Sequence, residues 1–459
     1  MDSHHPTLRK ISECFVKPQR LPQESKQPYY LGPCDFIMLS VHYIQKGLLF
    51  HKPSESAAYD HGHPFMVNLL RRLKDSLSAA LFHFYPLTGR LATVNNQDQA
   101  SILIYVDCVN SPGAKFIHAA IDITISDVLS PVDVPPVVHS FFDNHRAVNH
   151  DGHTLPLLSI QVTELLDGVF VGCSFNHVMG DGTSFWNFFN MWSEIFQAPS
   201  ESDDGNVSIS RPPILNRWFP DGVGPIINLP FTHLDQFVSR FETPLLRERI
   251  FHFSAESIAK LKAKANAECN TGEISSFQSL SALVWRSITR ARRAPEDQST
   301  NCNMAANNRA RLEPALSSNY FGNVVSGLRA EAKAGELLEA GLGWAAWKLH
   351  EAVINNTNEK LREELDKWLE SPFTFQLSRF FDPYSIMLGS SPRFNKYGNE
   401  FGMGKAVALR SGYANKFDGK VSSYPGREGG GSVDLEICLL PQNMAFLESD
   451  LEFMDAVSS

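Results

Sequence analysis

The chain has 459 residues, of which 41 are basic and 50 acidic, so its net charge is −9. Hydrophobic residues make up 43% and charged residues 20%, an ordinary globular composition that excludes a disordered or fibrous protein. The acidic balance excludes a chain-wide basic surface for nucleic acid or anionic membranes, but it allows a local basic pocket. The length predicts two or three compact units.

The cysteines are odd in number, scattered and never arranged as C-x-x-C. This spacing is typical of a reduced intracellular enzyme and not of a disulfide framework or a zinc site. The N-terminus lacks the basic and apolar runs of a signal peptide, and no stretch approaches 18 uninterrupted apolar residues. We therefore expect a soluble cytoplasmic monomer without a bound metal or a permanent cofactor.

The first predicted element is an amphipathic helix that begins near Val67. Apolar residues recur at intervals of three and four as far as Phe84, and Pro86 cannot continue the helix. The segment 85–91 then predicts a turn into a strand. Farther along, alternation over 158–162 and 169–175, separated by Leu166-Asp167-Gly168, predicts a β-hairpin.

The second hairpin strand leads directly into Asn-His-Val-Met-Gly-Asp-Gly at 176–182, and an aromatic-rich helix is predicted to follow. Periodicity is then lost over about 198–247, where prolines interrupt any long element, as expected of a crossover between domains. Ser254 is predicted to cap one helix, and Ser275 with Gln278 has the capping-box spacing of the next. The predicted division is 1–198, a crossover at 199–247, and 248–459.

His177 is the strongest candidate for chemistry, because it follows a buried strand and lies close to Gly180 and Gly182. Glycines permit positive φ and close approach of a ligand to the backbone. A neutral imidazole, with a pKa of about 6.5, can take a proton from a hydroxyl or an amine. Asp181 could orient this histidine, or it could turn away and pin the loop through an arginine. A second copy of the H-x-x-x-D pattern, His139 to Asp143, lacks the glycines and is interpreted as structural.

Other chemistries are less well supported. The chain contains no G-x-S-x-G and no H-E-x-x-H motif, and Gly398–Lys405 does not have the glycine spacing of a phosphate loop. The Gly429–Gly431 run is interpreted as a hairpin turn.

Several blocks in the right order resemble the BAHD family of plant acyl-CoA-dependent acyltransferases, over almost the whole chain. The histidine block is similar to the family's active-site motif, and 400–405 occupies the place of its D-F-G-W-G signature. The other matching blocks are Leu73–Leu91, Ala306–Leu312 and Asn319–Asn323.

The resemblance implies a mixed α/β fold like that of chloramphenicol acetyltransferase. Two similar-sized domains, each a mixed sheet flanked by helices, would be joined by the crossover. Acyl-CoA would be a co-substrate that meets an alcohol or amine acceptor in a channel between the domains.

The resemblance also implies residue roles. His177 would be the general base and Asp181 would pair with Arg309, while Glu400 with Gly402 and Gly404 would complete the catalytic motifs. Positions that match CoA contacts are Ser275, Ser276, Gln278, Asn307, Arg309, Arg311, Ser390, Ser391 and Arg393.

Three positions depart from the family pattern. Glu400 and Met403 replace the aspartate and tryptophan of D-F-G-W-G, and Pro392 replaces a tryptophan on the oxyanion side. Loss of an oxyanion donor typically costs about 3–4 kcal/mol, so Ser390 or Ser391 is expected to substitute. The segments 410–421 and 424–431 resemble a largely uncharacterised subgroup that lies near a salicylate-pathway lyase.

Three functions follow from this sequence. The first is acyl transfer from acyl-CoA to an alcohol or amine, and the second is a lyase that uses the same cleft without CoA. The third is an acyltransferase-like binding or scaffold protein. The intact His177 and the Ser275–Gln278 block favour the first.

Overall fold

The computed structural model describes residues 6–53, 59–60, 63–198, 209–377 and 382–458. The strands are β1 (Arg9–Val16), β2 (Tyr29–Tyr30), β3 (Ile44–His51), β4 (Tyr59–Asp60), β5 (His63–Pro64), β6 (Arg90–Asn96), β7 (Ser101–Asp107), β8 (Ala114–Ala120), β9 (Leu158–Glu164), β10 (Gly168–Phe175), β11 (Arg247–Phe253), β12 (Ser299–Asn307), β13 (Val325–Lys333), β14 (Ile386–Gly389), β15 (Ala408–Ser411), β16 (Lys420–Pro425) and β17 (Val433–Leu439).

The α-helices are α1 (Pro33–Phe36), α2 (Phe65–His83), α3 (Ile125–Leu129), α4 (Gly182–Gln197), α5 (Ala255–Glu268), α6 (Ser276–Ala291), α7 (Ala334–Glu339), α8 (Leu342–Ile354), α9 (Asn358–Glu370), α10 (Pro441–Leu447) and α11 (Leu451–Met454). Short 3₁₀ helices lie at Gln23–Lys26, Tyr85–Thr88, Pro136–Phe141, Asn149–His153 and Leu234–Gln236.

Two mixed six-stranded sheets, flanked by helices, organise the fold and confirm the predicted fold class. The first has the order β1-β8-β9-β10-β3-β15 and the second the order β11-β17-β16-β14-β12-β13. In the first sheet β8 and β9 are parallel, and in the second β14 is parallel to both neighbours. A further, three-stranded sheet has the order β2-β7-β6.

The edge strand β15 joins the two halves of the chain. Although it follows α9 and β14 in sequence, it pairs antiparallel with β3, and Ser411 lies opposite Lys46. The predicted division at residues 198 and 248 stays a prediction, and one strand from beyond residue 248 lies in the first sheet.

The sequence pattern at 67–91 folds as expected. Helix α2 ends at His83, the 3₁₀ helix Tyr85–Thr88 follows, and β6 begins at Arg90. The apolar positions Leu73, Leu77 and Leu81 are fully buried, as an amphipathic stripe requires.

The predicted hairpin is β9 and β10, which pair antiparallel. Its polar positions are buried as well, although the alternation of apolar and polar residues predicts one solvent-exposed face. The segment 136–143 covers that face: the Gln161 amide donates to the Ser140 carbonyl at 2.8 Å, and the Ser159 hydroxyl to Asp143 Oδ2 at 2.8 Å. Strand β10 lies between β9 and β3 in the sheet and is buried along its whole length up to the histidine.

The crossover segment follows α4. Its first part, 199–208, lies outside the described residues, and 209–246 contains only the 3₁₀ helix Leu234–Gln236. The predicted helix caps are present: Ser254 accepts from Ser257 N–H, and Ser275 forms a capping box with Gln278.

Phe401 anchors the 400–404 turn in the core of the N-terminal half. It is fully buried, with its ring 4.6 Å from Trp192 and 5.5 Å from Phe189 on α4. Such aromatic contacts add to the free energy gained from burial.

Across the described residues, no helix is long and apolar enough to cross a membrane. Nor do those residues contain a cluster of three or more His, Cys, Asp or Glu side chains placed to hold a metal ion.

Candidate active site

His177 lies directly beyond β10, at the start of a turn whose backbone is tightly held. Its backbone N–H donates to Asn149 Oδ1 at 2.8 Å, and the neighbouring Asn176 side chain donates to the Asn149 carbonyl at 2.8 Å. Both asparagines are fully buried, whereas His177 is half-buried. The backbone that carries the imidazole is thus held in place by buried hydrogen bonds.

Asn323 sets the orientation of the imidazole. Its Oδ1 lies 3.1 Å from His177 Nδ1, and its Nδ2 donates to the His177 carbonyl at 2.8 Å and to Asp35 Oδ1 at 2.9 Å. Because the amide nitrogen already faces two oxygens, Oδ1 must accept from Nδ1–H. This hydrogen bond selects the tautomer with a bare Nε2.

The His177 ring is therefore available as a base. Among the residues that the structure describes, none donates a hydrogen bond to Nε2. Burial lowers the pKa of His177 below its usual value, although Asp181 and Asn323 oppose that shift, and the charge of Lys420 lowers the pKa further. The imidazole is neutral at pH 7, as a proton acceptor must be.

Asp181 turns away from the histidine and forms a buried lock. Its Oδ2 accepts from Arg309 Nη1 at 2.7 Å and its Oδ1 from Nη2 at 3.1 Å. Oδ1 also accepts the backbone N–H groups of Thr183 and Ser184, so Asp181 caps helix α4. Burial works to raise the pKa of Asp181, but the charge and hydrogen bonds of Arg309 outweigh it and hold the pKa below its usual value.

Arg309 is saturated within this lock. It is 2% exposed and also donates to the carbonyls of Tyr320 and Gly322 and to the Ser184 hydroxyl. The Asn307 side chain accepts from Arg309 at 3.1 Å, while the half-buried Arg311 has no side-chain bond to a described residue. CoA contacts by Asn307, Arg309 and Arg311 stay predictions.

A second buried ion pair also supports the turn. Arg217 Nε lies 2.9 Å from Asp35 Oδ2, and both side chains are 2% exposed. Arg217 also donates to the carbonyls of Met179 and Phe321, and Asp35 accepts from Asn323. Three distant segments therefore meet at the histidine turn.

The turn glycines act through close packing. Neither Gly180 nor Gly182 has a positive φ, so the expected backbone freedom is not what these positions require. A Cβ on Gly180 would collide with the Ser184 side chain, and one on Gly182 would lie 3.3 Å from the Phe394 ring. Gly402 and Gly404, in contrast, have φ of +72° and +76°.

Glu400 lies exposed at the surface, and its carboxylate has no hydrogen-bond partner among the described residues. The buried member of this turn is Phe401. A catalytic role for Glu400 stays a prediction, while the turn itself has a clear packing role.

The segment that replaces the oxyanion-side tryptophan is built around Ser390. Its hydroxyl accepts from Lys396 Nζ at 2.8 Å, which leaves the hydroxyl hydrogen free to donate. Ser390 has φ of +65°, a conformation that a non-glycine residue rarely adopts. Ser391 caps the next turn by accepting from Arg393 N–H at 3.2 Å.

A large polar cavity of about 760 Å³ opens beside this segment. Exposed Arg393 lines it together with Thr183, Trp186 and Asn319. The cavity reaches Thr183, which follows the Asp181 turn directly, so it lies next to the candidate site.

The predicted CoA residues on α6 divide into two groups. Ser275 and Gln278 satisfy each other in the capping box, and Gln278 is buried. Ser276 lines an open cavity of about 560 Å³ with Lys262, Asn266 and Gly430. The Gly429–Gly431 run is the turn between β16 and β17, as predicted, and it also forms one wall of this cavity.

The second H-x-x-x-D copy has structural contacts. His139 Nε2 lies 3.0 Å from Glu248, and Asp143 accepts from Ser159 and Lys115. These contacts join the segment 136–143 to β8, β9 and β11, consistent with the structural interpretation.

No local pattern in the sequence distinguishes Asn323, Asp35 or Arg217. Asn323 belongs to the Asn319–Asn323 block, but its partner His177 lies 146 residues away. A capping signal did exist for Asp181, because an aspartate directly before a helix is a favoured N-cap.

The lock predicts coupled losses. Asp181→Ala and Arg309→Ala should each lower the free energy of unfolding by about 3–5 kcal/mol, because each leaves a buried charge without its partner. Activity should fall with stability, and the double variant should lose less than the sum of the two. A double-mutant cycle on denaturant unfolding measures this coupling. Additive losses, with Asp181→Ala as stable as the parent, would instead indicate a partner of His177.

Comparison with known proteins places the chain in a family. A model described as "Transferase family" matches residues 8–454. An uncharacterized acetyltransferase of Arabidopsis thaliana is 36% identical over 97% of this chain and 98% of its own length. Vinorine synthase shares the fold with a TM-score of 0.74 at 20% identity, over 99% of both chains. F. graminearum TRI101, solved with coenzyme A and deoxynivalenol, has a TM-score of 0.71 at 17% identity, over 94% of this chain and 99% of its own. The chain belongs to this transferase family, the BAHD acyltransferases, and is an acyltransferase.

Proposed function

We propose that the protein transfers an acyl group from acyl-CoA to an alcohol or amine acceptor, with His177 as the general base. The observation that carries this proposal is the Nδ1 hydrogen bond to Asn323, which leaves a neutral Nε2 free to accept a proton. A general base needs this protonation state and a fixed orientation. The expected cytoplasmic location and monomeric state belong to the same proposal.

The reaction proceeds without a covalent enzyme intermediate. Nε2 takes the proton of the acceptor hydroxyl or amine as its oxygen or nitrogen attacks the thioester carbonyl. The tetrahedral intermediate then collapses, the carbon–sulfur bond breaks, and the imidazolium returns the proton to the thiolate. Ester or amide and free CoA are the products, and acyl-CoA is consumed as a co-substrate.

Ser390 is the proposed donor to the oxyanion. Its hydroxyl oxygen is occupied by Lys396, so its hydrogen can point to a ligand. A hydroxyl donor in this place would compensate for the proline at 392.

CoA is proposed to lie across the cavity at Ser276. Lys262 would meet a phosphate, and the backbone of Gly430 and Gly431 would allow close approach. The lyase alternative requires no CoA, so binding of CoA separates the two functions.

His177→Ala should lower turnover by about 10²–10⁴-fold, the usual contribution of general base catalysis, with little change in melting temperature. Thiol release with a panel of acetyl-, benzoyl-, coumaroyl- and malonyl-CoA against mixed acceptors measures turnover and identifies the substrates. His139→Ala, the matched control, should leave turnover nearly unchanged. Equal losses in the two variants would contradict the choice of His177.

The rate should have an acid limb set by His177. Burial lowers its pKa below about 6.5, so the imidazole stays neutral until the pH falls below that value. We expect kcat/KM to be flat from pH 7 down to about 6.5 and to fall only at more acidic pH. A pH profile of thiol release tests this, and a limb centred above pH 7 would contradict a buried neutral base.

Millimolar CoA should raise the melting temperature of the parent, because a ligand at about 100 times its Kd stabilises the native state by about 2.7 kcal/mol. Lys262→Glu should weaken this protection. Lys260→Glu, on the same helix but 76% exposed and paired with Glu256, should retain it. Absence of protection in the parent would favour the lyase.

A further inference from the structure

A polar layer separates the two large sheets near the candidate site. Lys420, Ser422 and Tyr424 alternate along β16, so they share one face of the second sheet, and Glu436 on β17 lies opposite Ser422. Lys46 on β3 of the first sheet reaches across and donates to the Tyr424 hydroxyl at 2.8 Å. The two sheets thus face each other through charged side chains.

The carboxylates of this layer are already occupied. Glu436 lies 3.7 Å from Lys416 and accepts from the Ser411 hydroxyl at 2.5 Å. Glu248 binds the same Lys416 and also lies 3.0 Å from His139. Both carboxylates therefore form their ion pair with Lys416.

Three other ammonium groups in the described part of the chain lie beyond ion-pair distance of a carboxylate. Lys46, Lys396 and Lys420 form no ion pair with any residue that the structure describes. Lys396 is completely buried and has the Ser390 hydroxyl and the Ser423 carbonyl as acceptors. Within the described residues, Lys46 donates a hydrogen bond to the Tyr424 hydroxyl and lies 5.0 Å from the centre of the same ring.

Lys420 is the least satisfied of the three. Its ammonium makes no hydrogen bond within the described part of the chain, although the residue is partly buried. It lies against Gly389, where a Cβ would collide with it. Gly389 directly precedes Ser390, the proposed oxyanion donor. The positive charge of Lys420 also contributes to the lowered pKa of His177.

Burial lowers the pKa of both Lys46 and Lys420 to about 8, although the charge of Glu436 opposes the shift at each of them. An anion bound by these ammonium groups would offset the cost of their burial, because an opposite charge favours the protonated form. The Lys420 ammonium makes no hydrogen bond to a described residue, and the Lys46 ammonium makes one. Together they could bind one negatively charged group.

We propose that the substrate group bound beside His177 carries a carboxylate, which Lys420 binds as an ion pair, with Lys46 and Tyr424 as the second contact. This inference rests on the proposed function of the same cleft. The carboxylate belongs either to the acceptor or to the transferred acyl group. A lysine here determines specificity, because a neutral analogue would leave its buried charge unpaired.

The test compares carboxylate substrates with neutral analogues in the parent and in Lys420→Met. For the donor, malonyl-CoA is compared with acetyl-CoA; for the acceptor, hydroxybenzoate, hydroxycinnamate and short hydroxy acids are compared with their amides. Lys420→Met should lower kcat/KM for the carboxylate member by about 10–100-fold, the effect of losing a charged hydrogen bond, and spare the neutral member. If the loss in kcat/KM appears in the donor comparison, the carboxylate belongs to the acyl group. If it appears in the acceptor comparison, the carboxylate belongs to the acceptor. Lys420→Arg should restore part of the preference, and exposed Lys10→Met is the matched control.

A binding measurement keeps this inference separate from the proposed function. The same acids and amides are added to the parent without CoA, and malonyl-CoA and acetyl-CoA are added singly, while melting temperature is followed. In the parent, we expect at least one carboxylate compound to raise the melting temperature more than its neutral analogue does. In Lys420→Met, the two compounds of that pair should raise it equally. Equal shifts within every pair, zero included, overturn the carboxylate site. Absence of thiol release with all pairs, alongside selective carboxylate stabilisation, would overturn acyl transfer and leave the site intact.

Discussion

The buried pair of Asp181 and Arg309 is the interaction on which the candidate site depends. Each charge alone would be costly in a dry interior, so the pair is stable only with full hydrogen bonding on both sides. Arg309 supplies it by donating to two carbonyls and a hydroxyl, and Asp181 by capping α4. One aspartate thereby fixes a helix end, a loop of the other half and the turn that carries His177.

Because Asp181 is bound to Arg309, another residue must orient His177. Asn323 takes this role with a neutral amide, itself held by Asp35. A neutral acceptor aligns Nδ1–H without strongly raising the pKa of the imidazole, whereas a carboxylate in direct contact would raise it. The arrangement therefore suits a base that must stay unprotonated at neutral pH.

The contact between the two large sheets is unusual because charged groups lie in it. Strand β15 adds to the first sheet from the second half of the chain, and Ser411 at its end binds Glu436. Lys416 occupies the carboxylates there, and three further lysines form no ion pair with any residue that the structure describes. A sheet interface that only stabilised the fold would be expected to be apolar, since burying unpaired charge is costly.

Local patterns in the sequence determined helix α2, the hairpin, the caps at Ser254 and Ser275, and His177 at a strand end, because each depends on residues a few positions apart. The motif blocks, taken together, also determined the family and the fold class. Only the tertiary structure placed Asn323 on His177, Asp35 on Arg217 and Lys46 on Tyr424. These partners are far apart in the chain and have no periodicity, so which polar side chains meet is decided by how the sheets and loops pack.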